Sequence, residues 1–332
     1  MKLAHFLLII ALLLTTACTS KQEELIIELE KFDRQAEKEL ERLHDHIVHK
    51  RVKNAQMLEQ YAKVTKIRSP ELSEIADALA KDADDKGPIF QSLKTRYQDA
   101  KNDLPRVKDQ TLEQGTQLLD EYKSILFASS LSNYNLALTD PINVLADLSE
   151  GKLPRIEAES KKESLSSNEA KDMGAGSRLV GNPHYGHWQQ QSNGTSFWAF
   201  YGQYAFLSSL FDRPYSYGYW SRNRDYSYYH DVGRNHYSSR SQMKQQAAVE
   251  TRAKKNFKSK GQSFQSPYAK KRSSGKTSKS VVSAPSKFKS SNSKYASNYA
   301  SSNKSKTSNT SKSKSFFSRS SSRSRTFGGG GK

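Results

Sequence analysis

Apolar residues recur along the first half of the chain at helical spacing. Leu25, Leu29, Phe32, Ala36, Leu40, Leu43 and Ile47 advance in steps of three and four, close to the roughly eleven-residue period of a straight amphipathic helix. Val48, Val52, Ala55, Leu58 and Ala62 continue the stripe after a drift of one residue. The positions between are mostly Glu, Lys, Arg and Gln, which lose little rotamer freedom in a helix. This spacing predicts one long helix over about 21–66. Ser69-Pro70 then reads as an N-cap and first helical position, with Leu72, Ile75, Ala76 and Leu79 as the apolar face. Gly87 closes that helix, and Pro88 opens a third carrying Ile89, Phe90, Leu93 and Tyr97. Beyond Pro105, a fourth is marked by Leu112, Leu118, Leu119, Tyr122, Ile125 and Leu126. Asp140-Pro141 caps a short last one, with Ile142, Leu145 and Leu148 inward. Strand-type alternation is nearly absent. The expected fold class is all-α: an elongated antiparallel helical bundle or coiled-coil body over 21–152.

Residues 153–183 are rich in Glu, Lys and Ser and then run through Gly174-Ala175-Gly176-Ser177. With few large apolar residues to offset ordering, they read as a linker. The next stretch, 184–237, is aromatic-rich and holds all three tryptophans and ten of the seventeen tyrosines. Wound as a short helix over about 196–211, it sets Phe197, Phe200, Tyr201, Tyr204, Leu207 and Phe211 on one face, with Trp198 and Ala205 beside them. That face has three uses open to it: docking on the helical body, lying on a bilayer surface with rings at headgroup depth, or meeting a partner or second copy. Trp198, Phe200, Tyr201, Tyr204 and Phe211 are the candidate contact residues. Residues 214–230 interleave aromatics with Ser, Gly and Arg. Such a run can stack on sugars or bases or self-associate, and it reads equally well as a disordered linker.

Charge changes the picture of the last third. Residues 19–180 carry a net charge of −5, whereas residues 181–332 carry +23. From Thr251 onward there are 25 serines and 21 Lys/Arg and no acidic residue. The expectation is a disordered Ser/Lys/Arg-rich tail over 238–332. Such a polycation binds polyanions by counterion release. The candidate polyanion contacts are Arg252, Lys254, Lys255, Lys258, Lys260, Lys270, Lys271, Arg272, Arg319, Arg323 and Arg325.

The N-terminus supplies an address. Lys2 precedes an unbroken apolar run over 6–14, followed by Thr15, Thr16 and Ala17. This is the three-part secretory pattern, and the run is shorter than the ~20 residues a spanning helix needs. The ending Thr15-Thr16-Ala17-Cys18 resembles the lipobox of bacterial lipoproteins, with Leu14 one position further from the cysteine than is usual there. The resemblance implies that residues 1–17 are a cleaved signal peptide. It also implies that residues 18–20 form a lipidated N-terminus, with acyl chains including palmitate on Cys18. Thr19, where Asp would retain a lipoprotein at the inner membrane, points to the outer membrane of a Gram-negative cell envelope. Cys18 is the only cysteine, so no intrachain disulfide is available.

Candidate chemistry is sparse. His44, His46 and His49 do not converge at useful helical spacing and read as a solvated face. His184 and His187 lie in a Gly-containing stretch without a third ligand. Asp82, Asp84 and Asp85 read as a solvated helix end. No nucleotide-binding or nucleophile motif is present. No catalytic residue, metal site, cofactor or small-molecule substrate is expected. The function expected is a non-enzymatic, membrane-anchored envelope lipoprotein. Its basic tail binds an anionic envelope polymer (lipopolysaccharide, wall polymer or extracellular DNA) as tether or scaffold. One alternative is a surface adhesion or self-assembly protein using the Tyr/Ser/Gly/Arg region. Another, if the chain is not exported, is a nucleic-acid-binding tail protein.

Overall fold

The computed structural model describes residues 21–275. Cys18 and the expected signal peptide lie outside the described residues, as do residues 276–332 with Arg319, Arg323 and Arg325. Helix α1, Lys21–Val48, buries Leu25, Leu29, Ala36, Leu40, Leu43 and Ile47. The single helix expected to run on to about residue 66 is interrupted. Lys50 adopts a left-handed φ of 54°, the Arg51 amide returns to the His46 carbonyl at 2.7 Å, and α2 begins at Lys53 and ends at Arg68. The one-residue drift in the apolar stripe is the cause. A continuous helix would rotate Val52 away from the side Ile47 occupies, whereas the break buries both and leaves Val48 exposed.

A short 3-10 turn, Pro70–Leu72, leads into α3, Ser73–Ala80. Helix α4, Pro88–Asp103, starts after Gly87 with Pro at its first turn. Helix α5, Leu112–Ser129, is opened by a reciprocal capping box between Thr111 and Gln114. Short helices α6, Leu131–Ala137, and α7, Thr139–Leu148, complete the first half. Helix α1 lies along α5, α4 also packs on α5, and α2 packs on α3 and α7.

Residues 153–183 are not a linker. Helix α8, Lys161–Ser167, is capped by Ser160 and Glu163, and Met173, Leu179 and Val180 join the core. Composition misleads here because polar partners outside the segment do the ordering. Arg155 makes a two-pronged ion pair with Asp147, at 2.8 and 2.9 Å. The Ile156 amide donates to Asn143 Oδ1 at 2.9 Å, and the Tyr61 hydroxyl donates to the Pro154 carbonyl at 2.8 Å.

The helix expected over about 196–211 is replaced by a hairpin and a 3-10 stretch. Strands β1, Gly186–Gln190, and β2, Ser196–Phe200, pair antiparallel with Trp188 opposite Trp198. The reversal uses Asn193-Gly194, with Gly194 at φ 78° and the Thr195 amide on Asn193 Oδ1 at 2.9 Å. Ser196, Trp198 and Phe200 alternate inward, a period of two within an apolar run that also fits a helix. The 3-10 stretch Gly202–Leu210 follows and packs against α3. The fold is thus mostly helical with a small two-stranded sheet, rather than all-α.

Order also extends past the expected start of the tail. Helices α9, Tyr217–Asn223, and α10, Arg234–Tyr237, flank a π-helical turn, Tyr229–Gly233. Helix α11, Arg240–Ser259, is opened by a capping box between Ser239 and Gln242. Tyr215, Tyr217, Trp220, Tyr226, Tyr228 and Tyr229 are buried, so residues 214–230 are core rather than a run of exposed aromatics. One hydrophobic cluster runs from Leu25 on α1 to Ala253 on α11.

Candidate functional site

The C-terminal segments are fastened to the helical body by charged and aromatic anchors. The Asp140 carboxylate on α7 accepts from the Ser227 hydroxyl and from the Tyr228 and Tyr229 amides, each at 2.9 Å. Buried Arg96 on α4 donates to the His236 carbonyl at 2.6 Å and pairs with Glu121 at 2.7 Å. His236 stacks on Phe127 at 3.9 Å, and the Tyr237 hydroxyl donates to the Ala128 carbonyl at 2.9 Å.

This platform holds α11. Val249 and Ala253 face the core. Gln246 donates to the Tyr229 hydroxyl at 2.8 Å and accepts from Arg234 at 2.7 Å. The Phe257 ring lies against Gly218, where a Cβ would come within 2.5 Å of it. The chain then folds back. Phe264 stacks on Tyr217 at 6.3 Å, and the Arg234 guanidinium sits 4.0 Å over the Tyr268 ring. The Arg272 amide reaches Asp231 Oδ1 at 3.1 Å.

With one side of α11 buried, helical spacing turns the other to solvent. Lys244, Lys254, Lys255 and Lys258 lie there with Ala247, Ala248 and Thr251, and all are exposed. Lys258 stands one turn from both Lys254 and Lys255, so the like charges repel at about 0.2–0.5 kcal/mol per pair. No carboxylate pairs with these four among the described residues. The one acidic residue of the helix, Glu250, is turned toward Tyr217, whose hydroxyl donates to it at 3.3 Å.

Beside this face is an open groove of about 210 Å³, where the hairpin turn, the start of α9 and the last turn of α11 meet. Arg222 and Lys260 are its cations, Asn256 and Gln262 its amides, and no carboxylate lines it.

The expected polyanion contacts divide accordingly. Arg252, Lys254, Lys255, Lys258, Lys260 and Lys271 are exposed. Lys270 is paired with Glu169 at 3.2 Å, in solvent. Arg272 is drawn inward, donating to the Asn168 and Arg222 carbonyls. Of the five expected membrane or partner contacts, Trp198, Phe200 and Tyr204 are buried, Phe211 is half-buried and Tyr201 is 43% exposed. Pairing as a hairpin sends Trp198 and Phe200 inward, so they do not form a surface with Tyr201. Arg222 is the groove residue that sequence reasoning passed over; it stood among the aromatics of 214–230 with no local mark of its own.

The histidines and aspartates fall into separate places. His44 hydrogen-bonds Asp85 at 3.3 Å and His49 hydrogen-bonds the Asp45 carbonyl at 2.9 Å, both in solvent. His187 is exposed, whereas His184 is buried and burial holds its pKa down at about 4. Among the described residues, no three His, Cys, Asp or Glu side chains are gathered to hold a metal ion. Asp82 does not lie at a solvated helix end: it is fully buried and accepts from the Tyr185 hydroxyl at 2.8 Å. Burial raises its pKa to about 7, but a carboxyl with no exposed surface cannot reach a substrate. Among the described residues, no helix is long and apolar enough to cross a membrane. No family model matches the chain, and no match is found among curated proteins or solved structures.

Proposed function

We propose that this chain is a non-enzymatic lipoprotein of the Gram-negative cell envelope, anchored in the outer membrane through acyl chains on Cys18, that holds an anionic envelope polymer. The observation that carries this reading is the exposed basic face of α11, unpaired with any carboxylate among the described residues and continued by a basic C-terminal sequence. Residues 276–332 add 13 Lys/Arg and no acidic residue. A folded surface and an adjoining polycationic stretch together give avidity for a polymer that a single lysine lacks. Lipopolysaccharide is the polymer tested first, because it shares the outer membrane.

The test has two arms. Cys18→Ser is expected to abolish palmitate labelling and move the protein from the membrane to the soluble fraction. In the soluble form, lipopolysaccharide binding is expected to weaken steadily with salt, and by roughly tenfold in the Lys254→Gln, Lys255→Gln, Lys258→Gln triple variant. Unchanged fractionation in the first arm, or salt-independent binding in the second, refutes the reading.

A further inference from the structure

Building on the polyanion reading, we propose that the groove between the hairpin turn, α9 and α11 seats one phosphate-bearing sugar unit of that polymer. The chemistry of its walls selects the ligand. Arg222 and Lys260 approach from different elements, and with no carboxylate in the lining their charges are left for an anion from outside. Arg222 is held for the task. Its guanidinium sits 5.6 Å over the Phe257 ring, and its Nε donates to the Gly218 carbonyl at 3.3 Å. Its two terminal nitrogens have no protein partner among the described residues, and a fork of free N–H groups matches phosphate oxygens.

The rest of the lining suits hydroxyl groups. Asn256, Gln262 and Thr195 offer donors and acceptors in the lining. The volume, about 210 Å³, is below the ~300–1,000 Å³ of drug-sized pockets, so it takes one sugar unit rather than an oligosaccharide.

The aromatic rings argue against a nucleobase. A base stacks on an open ring face, and each ring here already carries a partner on one face. Phe264 lies parallel to Tyr217, with 16° between planes. Arg222 covers Phe257, and Arg213 lies 5.4 Å over Tyr219. The groove is thus lined by amides and cations beside rings that already have partners. A sugar phosphate uses those amides and cations; a stacked base does not.

Glucose 6-phosphate is titrated into the full-length protein and followed by NMR, with glucose, inorganic phosphate and oligothymidylate in parallel. Glucose 6-phosphate is expected to bind more tightly than either glucose or inorganic phosphate. Arg222→Gln and Lys260→Gln are each expected to weaken it by at least roughly tenfold, the loss of one charge-assisted hydrogen bond. Lys260 is an exposed residue, so its variant tests the groove without disturbing the fold. The outer-face triple variant Lys254→Gln, Lys255→Gln, Lys258→Gln is expected to keep glucose 6-phosphate binding while binding lipopolysaccharide roughly tenfold more weakly. That contrast separates the groove from the wider polyanion reading: either can fail with the other intact. The groove proposal is overturned by no binding of glucose 6-phosphate, by an equal loss in the triple variant, or by inorganic phosphate binding as tightly. Oligothymidylate displacing the sugar phosphate overturns it in favour of a nucleic-acid site.

Discussion

Asp82→Asn probes a carboxyl sealed between the helical body and the hairpin segment. The Tyr185 hydroxyl donates to Asp82 Oδ2 at 2.8 Å, and the Ile89 amide faces Oδ1 at 3.4 Å. Burial is the largest influence on this group and raises its pKa from 3.8 to about 7, outweighing both donors. The folded chain therefore binds this proton more tightly than the unfolded chain does. The stability it contributes is whole below about pH 4 and is lost as pH rises through about 7. At about 1.4 kcal/mol per pKa unit, the loss by pH ~8 is on the order of 4 kcal/mol. An amide in this place stays neutral at every pH and keeps an acceptor for Tyr185. Asp82→Asn is expected to cost about 1 kcal/mol near pH ~4.5, where a neutral acid already fits. It is expected to be more stable than the wild type above pH ~7.5, so the two curves cross. Guanidinium unfolding followed by tryptophan fluorescence across pH ~4.5 to ~8.5 measures this directly, and titrating groups not coupled to Asp82 cancel in the difference. Stability curves that run parallel for the two proteins would refute the reasoning.

Asp225→Ala removes the carboxylate that Arg178 reaches at 3.1 Å and that Ser164 and Asn168 each reach at 2.9 Å. Arg178 is left with the Tyr226 carbonyl and with Asp147 at 4.0 Å; breaking this buried pair is expected to cost about 3 kcal/mol in chemical denaturation, and a loss under about 1 kcal/mol would show the cluster to be dispensable. Gly218→Ala sets a methyl group 2.5 Å from the Phe257 ring; the ring must move and is expected to carry the last turn of α11 with it, at a loss of about 1–3 kcal/mol. Faster amide exchange confined to residues 253–262 would locate that shift, and unaltered exchange there would contradict it.

What the sequence determined by itself is local. The apolar stripes of α1, α4 and α5 lie in residues three and four apart, and such residues meet in any helix, whatever surrounds it. The capping box at Ser239 and Gln242 and the Val249, Ala253, Phe257 spacing were also open to view on α11. They were outweighed by a composition that counts charges without asking which side of a helix they occupy. The basic character of the last third was plain, and helical geometry then sorted Lys254, Lys255 and Lys258 from inward-turned Glu250.

Tertiary structure decided the rest, because the deciding partners lie outside the local helical period, and several of them lie far away in the chain. The run over 196–211 suits a helix or a strand, and pairing with residues 186–190 chose the strand. Residues 153–183 contain too little apolar surface to order alone; Asp147, Asn143 and Asp225 order them. Asp82 sits in a charged run that looks solvated until Tyr185, 103 positions away, closes over it. Arg222 and Lys260 acquire a common ligand space only after α11 docks on the aromatic layer. Periodicity is a property of neighbours, whereas burial, pKa and the walls of a groove depend on which distant side chains exclude the water.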